Sequence, residues 1–340
     1  MKPISSGRKI QISKPFDFSC LRDSYKNQLE EIDQFIKRAS TQDIHLINEM
    51  SAHIFAQKGK RLRPLLLLIC AQNSQRASDQ GQKISLAAAL EMLHTASLLH
   101  DDVIDESLQR RGLKTVNSQW NNKLAILMGD YLFSKSFEVV ISSDYPQTLD
   151  VLSKATEKIT TGEIKQLSLL GDLSLSLEEY FKINESKTAS LFQAACEIGC
   201  LISEATPQDR DIIVQVGAIV GQIFQIKDDL IDYGFEAKNI GKNFGDDFYE
   251  GKITLPVILS YEDGSAQVRN FWQTVFKKEI RTEEDYKITL GVLKDSKVDK
   301  RISQAISGFC QNGKKLLNDL SSNSGQIKTE LSTFIDCLSS

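Results

Sequence analysis

The stretch LLHDDVIDESLQRRG, residues 98–112, sets Asp101, Asp102, Asp105 and Glu106 at the end of an apolar run, with Arg110 and Arg111 directly behind them. On a helix, positions i and i+4 share a face, so Asp101 and Asp105 lie side by side, with Asp102 roughly 100° around the axis. Like charges at that spacing destabilise even an exposed helix, by up to about 0.5 kcal/mol. A second stretch, QIKDDLID at 225–232, repeats the pattern with Asp228, Asp229 and Asp232. Each copy follows a strongly apolar segment, Ala87 to Leu99 and Ile212 to Ile226, so each is joined to core rather than to charged surface. One such motif reads equally well as a solvated helix end; two copies shift the balance towards a shared cation. Oxygen ligands without His or Cys suit Mg²⁺, which completes its shell with water and phosphate oxygens. The expected guest is a phosphorylated small molecule.

Outward from these motifs the chain continues in helical periods. The 340 residues are 41% hydrophobic and 25% charged with only six prolines, and apolar segments of helical length outnumber any strict alternation. The spacing predicts helices over about 18–40, 43–58, 62–76, 83–107, 116–142, 145–170, 177–204 and 208–233, then a polar loop and smaller helices over 254–338. Pro207 suits a helix start, and SSNSGQ marks a late break. Residues 1–15 read as a loose arm and 16–340 as one all-α domain, a single large helical bundle. The two acidic motifs should face each other over a deep central cavity. Beyond the acidic echo no fixed period recurs, so a helical solenoid is not expected.

Several function classes drop out. A net charge of −4 argues against general nucleic-acid binding. No uninterrupted run of about 20 apolar residues predicts a membrane span. The six cysteines are scattered without a CxxC, and Cys196 and Cys200 on one helical face read as core packing. The start lacks the apolar stretch of a signal peptide, so the expected address is the cytoplasm. GDDFYEGKIT has the wrong spacing for a P-loop. Glu91 and His94 form the Glu-x-x-His half of a carboxylate di-iron site, but His45, His53 and His100 supply no second copy. Cations cluster near the acidic motifs: Lys58, Lys60, Arg61 and Arg63 in KGKRLRP, then Arg110, Arg111, Lys187, Lys242 and Lys252. Arginine grips phosphate bidentately and lysine acts as a point charge, so these residues favour a site for two diphosphates.

With these segments in view, the sequence resembles the trans-prenyltransferases, the all-trans isoprenyl diphosphate synthases. The resemblance rests on KGKRLRP, MLHTASLLHDDVIDESLQRRG (92–112), GDYLF (129–133), SKTASLF (186–192), FQIKDDLIDY (224–233) and GKNFGDDFYEGKITLPVI (241–258), in the family's order. One departure stands out: the family usually has Gly-Gly before Lys60, and here Lys58 replaces the first glycine while Gly59 remains. The resemblance implies an isoprenoid-synthase bundle, a homodimer, and Mg²⁺, three ions, held on an allylic diphosphate by Asp101, Asp102, Asp105, Asp228, Asp229 and Asp232. Arg110, Lys187 and Lys242 would grip that diphosphate. Lys60, Arg63, His94 and Arg111 would hold isopentenyl diphosphate. Thr188 and Gln225 would face the developing carbocation with oxygen dipoles, and the released diphosphate would take the proton.

Product length should be set beside the first motif. A helical turn rises about 5.4 Å, close to one isoprene unit. In the family, bulky aromatics one turn before the first aspartate close the pocket early; here those positions are Ala96 and Ser97. The expectation is a medium or long product of the kind used for quinone side chains, with Leu93, Phe133 and Phe137 as candidate floor residues. Rival readings are a shorter-chain farnesyl or geranylgeranyl synthase, a class I terpene cyclase, and a non-catalytic subunit of a heteromeric synthase. A cyclase needs no second-substrate grip, and such subunits typically lose aspartates that are whole here. Residues 265–340 carry no interpretable motif.

Overall fold

The computed structural model describes residues 17–57, 59–74, 76, 78–235 and 244–339. Helices dominate, and the one sheet among the described residues is a small hairpin, Gln109–Arg110 paired antiparallel with Leu113–Lys114. The arm expected over residues 1–15 falls outside the described residues.

Four helices make the centre. Leu62–Cys70 and Ser190–Ile202 are apolar almost all round and correspondingly buried. The other two, Asp79–Ile104 and Pro207–Asp232, have 26 residues each and carry the acidic motifs. They are called here the first-motif and second-motif helices. Each is about 39 Å long at 1.5 Å per residue, enough to flank a deep cleft. The first-motif helix packs along Asn122–Ile141, and the second-motif helix along Ser190–Ile202. Ser190–Ile202 also touches Leu62–Cys70, Gln147–Leu167 and the first-motif helix, and so joins both halves of the bundle. One hydrophobic cluster runs from Phe18 to Leu338, and each Leu or Ile buried in it contributes about 1.5–3 kcal/mol relative to exposure. Cys196 and Cys200 are buried free thiols within it.

Local chemistry fixes the helix starts. Pro207 opens the second-motif helix, and Thr206 Oγ1 caps it by accepting the Asp209 N–H at 3.1 Å. Asn121 Oδ1 accepts the Leu124 N–H at 2.9 Å and starts Asn122–Ile141. This cap splits the helix expected over 116–142 into Val116–Gln119 and Asn122–Ile141. The helix expected over 62–76 stops at Cys70. The one expected over 177–204 is three pieces, Leu177–Asn184, a π-helical turn Glu185–Ala189, and Ser190–Ile202. In the tail, Val298–Leu317 and Gly325–Ser339 pack on the second-motif helix.

Candidate active site

Both motif helices end at the mouth of one cleft, which encloses about 1390 Å³ counted out to its opening. Asp101 and Asp105 line it from one side, and Asp228, Asp229 and Asp232 from the other. All of them sit at helix C-termini, where the macrodipole is negative and further negative charge is unfavourable. Burial adds to this and pushes the Asp101 carboxyl up to about 6. Asp229 is also raised, by burial first and by the neighbouring Asp247 second. Such a place calls for a cation.

Asp102 is occupied otherwise. It is buried and accepts a hydrogen bond from Arg110 Nε at 2.8 Å. Arg110 belongs to the hairpin, whose two-residue turn is Arg111-Gly112 with φ of 52° and 79°. A left-handed backbone at both turn residues is what a tight hairpin requires, and at Arg111 it is held against steric preference. Asn117 Nδ2 donates to the Asp102 and Ser107 carbonyls at 3.1 and 3.0 Å, tying the hairpin to the motif. Arg110 and Arg111 thus both line the cleft.

A second set of cations stands on the neighbouring wall. The Arg63 guanidinium lies 4.4 Å from the centroid of the Phe192 ring, and its Nη1 is 3.0 Å from His94 Nε2. Arginine can only donate, so His94 accepts through Nε2 and carries its proton on Nδ1. Burial, followed by the nearby arginines, keeps the His94 pKa well below the usual histidine value, which agrees with a neutral ring. One turn earlier, Glu91 Oε1 is 2.6 Å from Arg61 Nη1, and Arg61 Nε also reaches Asp33 at 2.9 Å. Glu91 and His94, the half-motif noted in the sequence, therefore hold the two arginines of KGKRLRP. Lys60 lies instead in a separate groove beside Asp33 and Arg61.

Lys187 and Thr188 sit on the π-helical turn, where one extra residue per turn re-aims side chains. Two close approaches clamp that turn. A Cβ added at Gly162 would stand 2.8 Å from the Lys187 nitrogen, and one at Gly221 only 2.4 Å from the Ala189 Cα. Lys187 pairs with Glu163 and donates to Gln166 Oε1 at 2.9 Å. Thr188 donates to Gln225 Oε1 at 2.7 Å, Gln225 donates to Asp229 Oδ1 at 2.8 Å, and Tyr180 donates to Asp229 Oδ2 at 2.5 Å. Having spent its proton on Gln225, the Thr188 hydroxyl presents lone pairs to the cleft.

The sequence model described as polyprenyl synthetase matches residues 44–292, which takes in every side chain of this site named above except Asp33. The chain belongs to this family. It is 38% identical over 240 residues to an all-trans-nonaprenyl-diphosphate synthase (geranyl-diphosphate specific) of Rhodobacter capsulatus, covering 70% of this chain and 73% of that one. It is 35% identical over 236 residues to the octaprenyl diphosphate synthase of Escherichia coli, covering 69% and 72%. A crystal structure of polyprenyl synthase from Caulobacter crescentus, complexed with calcium and isoprenyl diphosphate, superposes with a TM-score of 0.89 at 30% identity, over 96% of this chain and 99% of that one. The chain is therefore a prenyltransferase.

The donor set of the cleft fits a hard divalent ion. Among the described residues no three acidic, His or Cys side chains converge closely enough to hold an ion alone. Mg²⁺ commonly binds through one or two carboxylates and takes its remaining oxygens from substrate and water, so carboxylates spread on two walls suit it. The chain-length candidates are spread out. Ser97 lines the cleft. Ala96 is buried in a satellite cluster with Met50, Met128 and Leu132, and Leu93 in the main core. Phe133 stacks on His100 with ring centroids 5.9 Å apart, and Phe137 is half-buried one turn further on. Lys242 lies outside the described residues.

Sequence reasoning passed over Asp246, Asp247 and Glu250, which also line the cleft. The Asp246 and Asp247 N–H groups donate to the Asp232 carboxylate at 3.1 and 3.2 Å, and the Tyr286 hydroxyl donates to the Asp232 carbonyl at 2.9 Å. The pattern GDDFYEGK held the signal: a third acidic pair beside two glycines, all within a quoted family motif. Glu163 and Gln166 carried no sequence signal, because their role is only to receive Lys187.

Proposed function

We propose that this enzyme condenses isopentenyl diphosphate with an allylic diphosphate and repeats the step to give a medium or long all-trans polyprenyl diphosphate, a quinone side-chain precursor. One observation carries the reading: both acidic motifs share a single cleft with Arg63, Arg110, Arg111 and Lys187. The octaprenyl and nonaprenyl products named for the relatives support the length.

Asp101, Asp105 and Asp228, with Asp102, Asp229 and Asp232 around them, would hold Mg²⁺, three ions in all. Bound there, Mg²⁺ would supply positive charge where the allylic diphosphate gains negative charge. Arg110, Lys187 and Lys242 grip that diphosphate and add charge preorganised for its departure. The Thr188 lone pairs and the Gln225 amide face the allylic cation that forms. Arg63, His94 and Arg111 hold isopentenyl diphosphate so that its double bond lies against the cation; Lys60, in the neighbouring groove, is not placed to share that grip. The neutral His94 orients rather than accepts, and the proton leaves with the departed diphosphate. A homodimer working in the cytoplasm belongs to the same reading; exposed Ile126, Leu127 and Ile141 along Asn122–Ile141 support a subunit contact there.

The test is incubation with radiolabelled isopentenyl diphosphate, Mg²⁺ and primers of different length, followed by chain-length separation. Long polyprenyl products are expected. Products no longer than geranylgeranyl diphosphate would overturn the length, and no incorporation with any primer would overturn the reaction.

A further inference from the structure

The segment Asp246–Lys252 touches both acidic motifs. Its start is docked on the second motif through the Asp232 carboxylate. At its end the Lys252 Nζ lies 3.1 Å from Asp105 Oδ1 of the first motif and 2.5 Å from Glu250 Oε2. Only 8% of the Lys252 side chain is exposed. Asp105, Glu250 and Asp247 all set negative charge close to the ammonium, which offsets the cost of burying it. The backbone aims it: Gly251 has φ of 85°, and the Lys252 N–H returns to the Asp247 carbonyl at 2.8 Å.

Asp105 cannot offer one carboxylate oxygen to this ammonium and to a divalent ion at full strength. We infer that Lys252 is a built-in counter-ion to the first motif, strapping it to the second, and that a divalent ion must displace it from Asp105 to load. Lys252 is then a positioning residue that lowers the affinity for metal in the absence of substrate. It keeps three carboxylates compensated until a diphosphate arrives to share the ion. The inference rests on the acidic motifs being the metal site.

The test is Mn²⁺ binding, followed by electron paramagnetic resonance of the free ion, to chelator-stripped enzyme without diphosphate. Lys252→Met removes the charge and keeps the length; it should bind Mn²⁺ about tenfold or more tighter than wild type, since a like charge a few ångströms away is gone. Lys252→Arg keeps the charge and should bind as wild type does. A folded Lys252→Met protein that binds no tighter, or binds nothing when wild type also binds nothing, overturns the inference. Should Lys252→Met fail to fold, a crystal structure of the wild type with Mn²⁺ decides: Lys252 is expected to have left Asp105, and an intact ion pair beside an ion on Asp105 overturns the strap. Binding is also measured with inorganic diphosphate present. No Mn²⁺ uptake even then would remove the metal site itself, whereas uptake indifferent to Lys252→Met removes only the role of Lys252.

Discussion

Replacing Glu91 with Gln should cost the fold about 3 kcal/mol, although Glu91 lies on the inner side of the site's arginines. Its carboxylate and the Arg61 guanidinium are 7% and 8% exposed and 2.6 Å apart. Losing one partner of a fully buried pair costs about 3–5 kcal/mol, because the other charge is left uncompensated. Arg61 keeps its second bond, to the half-exposed Asp33 at 2.9 Å, so the lower part of that range applies. Against this, Arg61 has a left-handed backbone with φ of 54°, a conformation disfavoured by about 1–2 kcal/mol that its two ion pairs help to hold. Urea unfolding of wild type, Glu91→Gln and Asp33→Asn measures the difference. Asp33→Asn, at the exposed end, should lose about 1 kcal/mol or less. Equal losses for the two variants, or less than about 0.5 kcal/mol for Glu91→Gln, would refute the assignment of Glu91 as the buried anchor.

Ser97→Phe should shorten the product, since Ser97 lines the cleft, whereas Ala96→Phe should destabilise the fold by about 1–3 kcal/mol by overpacking the cluster around Met50 and Met128. Product chromatography and unfolding curves check the pair, and an unchanged product from Ser97→Phe would end that account of the wall. Gly221→Ala forces a methyl group to within 2.4 Å of the Ala189 Cα, so the π-helical turn must shift and carry Lys187 and Thr188 with it. A drop in kcat of about tenfold or more is expected, and wild-type kcat would show that the turn tolerates displacement. Asp285, which closes a capping box with Thr282, is held down to about 2, first by the Lys278 hydrogen bond and then by the Thr282 backbone. Its folded value lies below the ordinary one of about 3.9, so its contribution is complete above that pH and is lost as pH falls towards about 2. The stability gap between wild type and Asp285→Asn should therefore narrow from neutral pH to about pH 3; a constant gap in urea midpoints would contradict it.

What could be read in advance was whatever two residues on one helix reveal about each other. Asp101 with Asp105, and Asp228 with Asp232, announced themselves by spacing after apolar runs. The long central helices did the same by their periodicity. What stayed hidden depended on partners far away in sequence. Nothing around Glu163 says that Lys187 will reach it, and nothing in 265–340 says that Tyr286 will hold the second motif by the Asp232 carbonyl. The π-helical turn was hidden differently: ESKTA looks like ordinary helix, and only the glycines of two other helices, Gly162 and Gly221, make room for the turn. The hairpin was overlooked because its strands are two residues each, too short for any periodicity.

Three cations of the cleft share one property. Arg110 is paired with Asp102, Lys187 with Glu163, and Lys252 with Asp105 and Glu250, so these three cations of the cleft each already have a carboxylate of the protein's own. On the proposed function, an incoming diphosphate would take Arg110 and Lys187 from those carboxylates and leave Asp102 and Glu163 exposed to its own charge. On the inference above, an incoming divalent ion would likewise part Lys252 from Asp105. Each alone leaves like charges facing one another in a partly dry site, where such contacts are expensive. Arriving together, they exchange partners instead: the ion compensates the carboxylates that the diphosphate uncovers, and the diphosphate occupies the cations. Metal and diphosphate would then be thermodynamically coupled through the cleft's own ion pairs, and by reciprocity each would raise the affinity for the other. A site arranged this way would concentrate its positive charge on the leaving group only when the substrate is present, which is when ionising the allylic bond is useful.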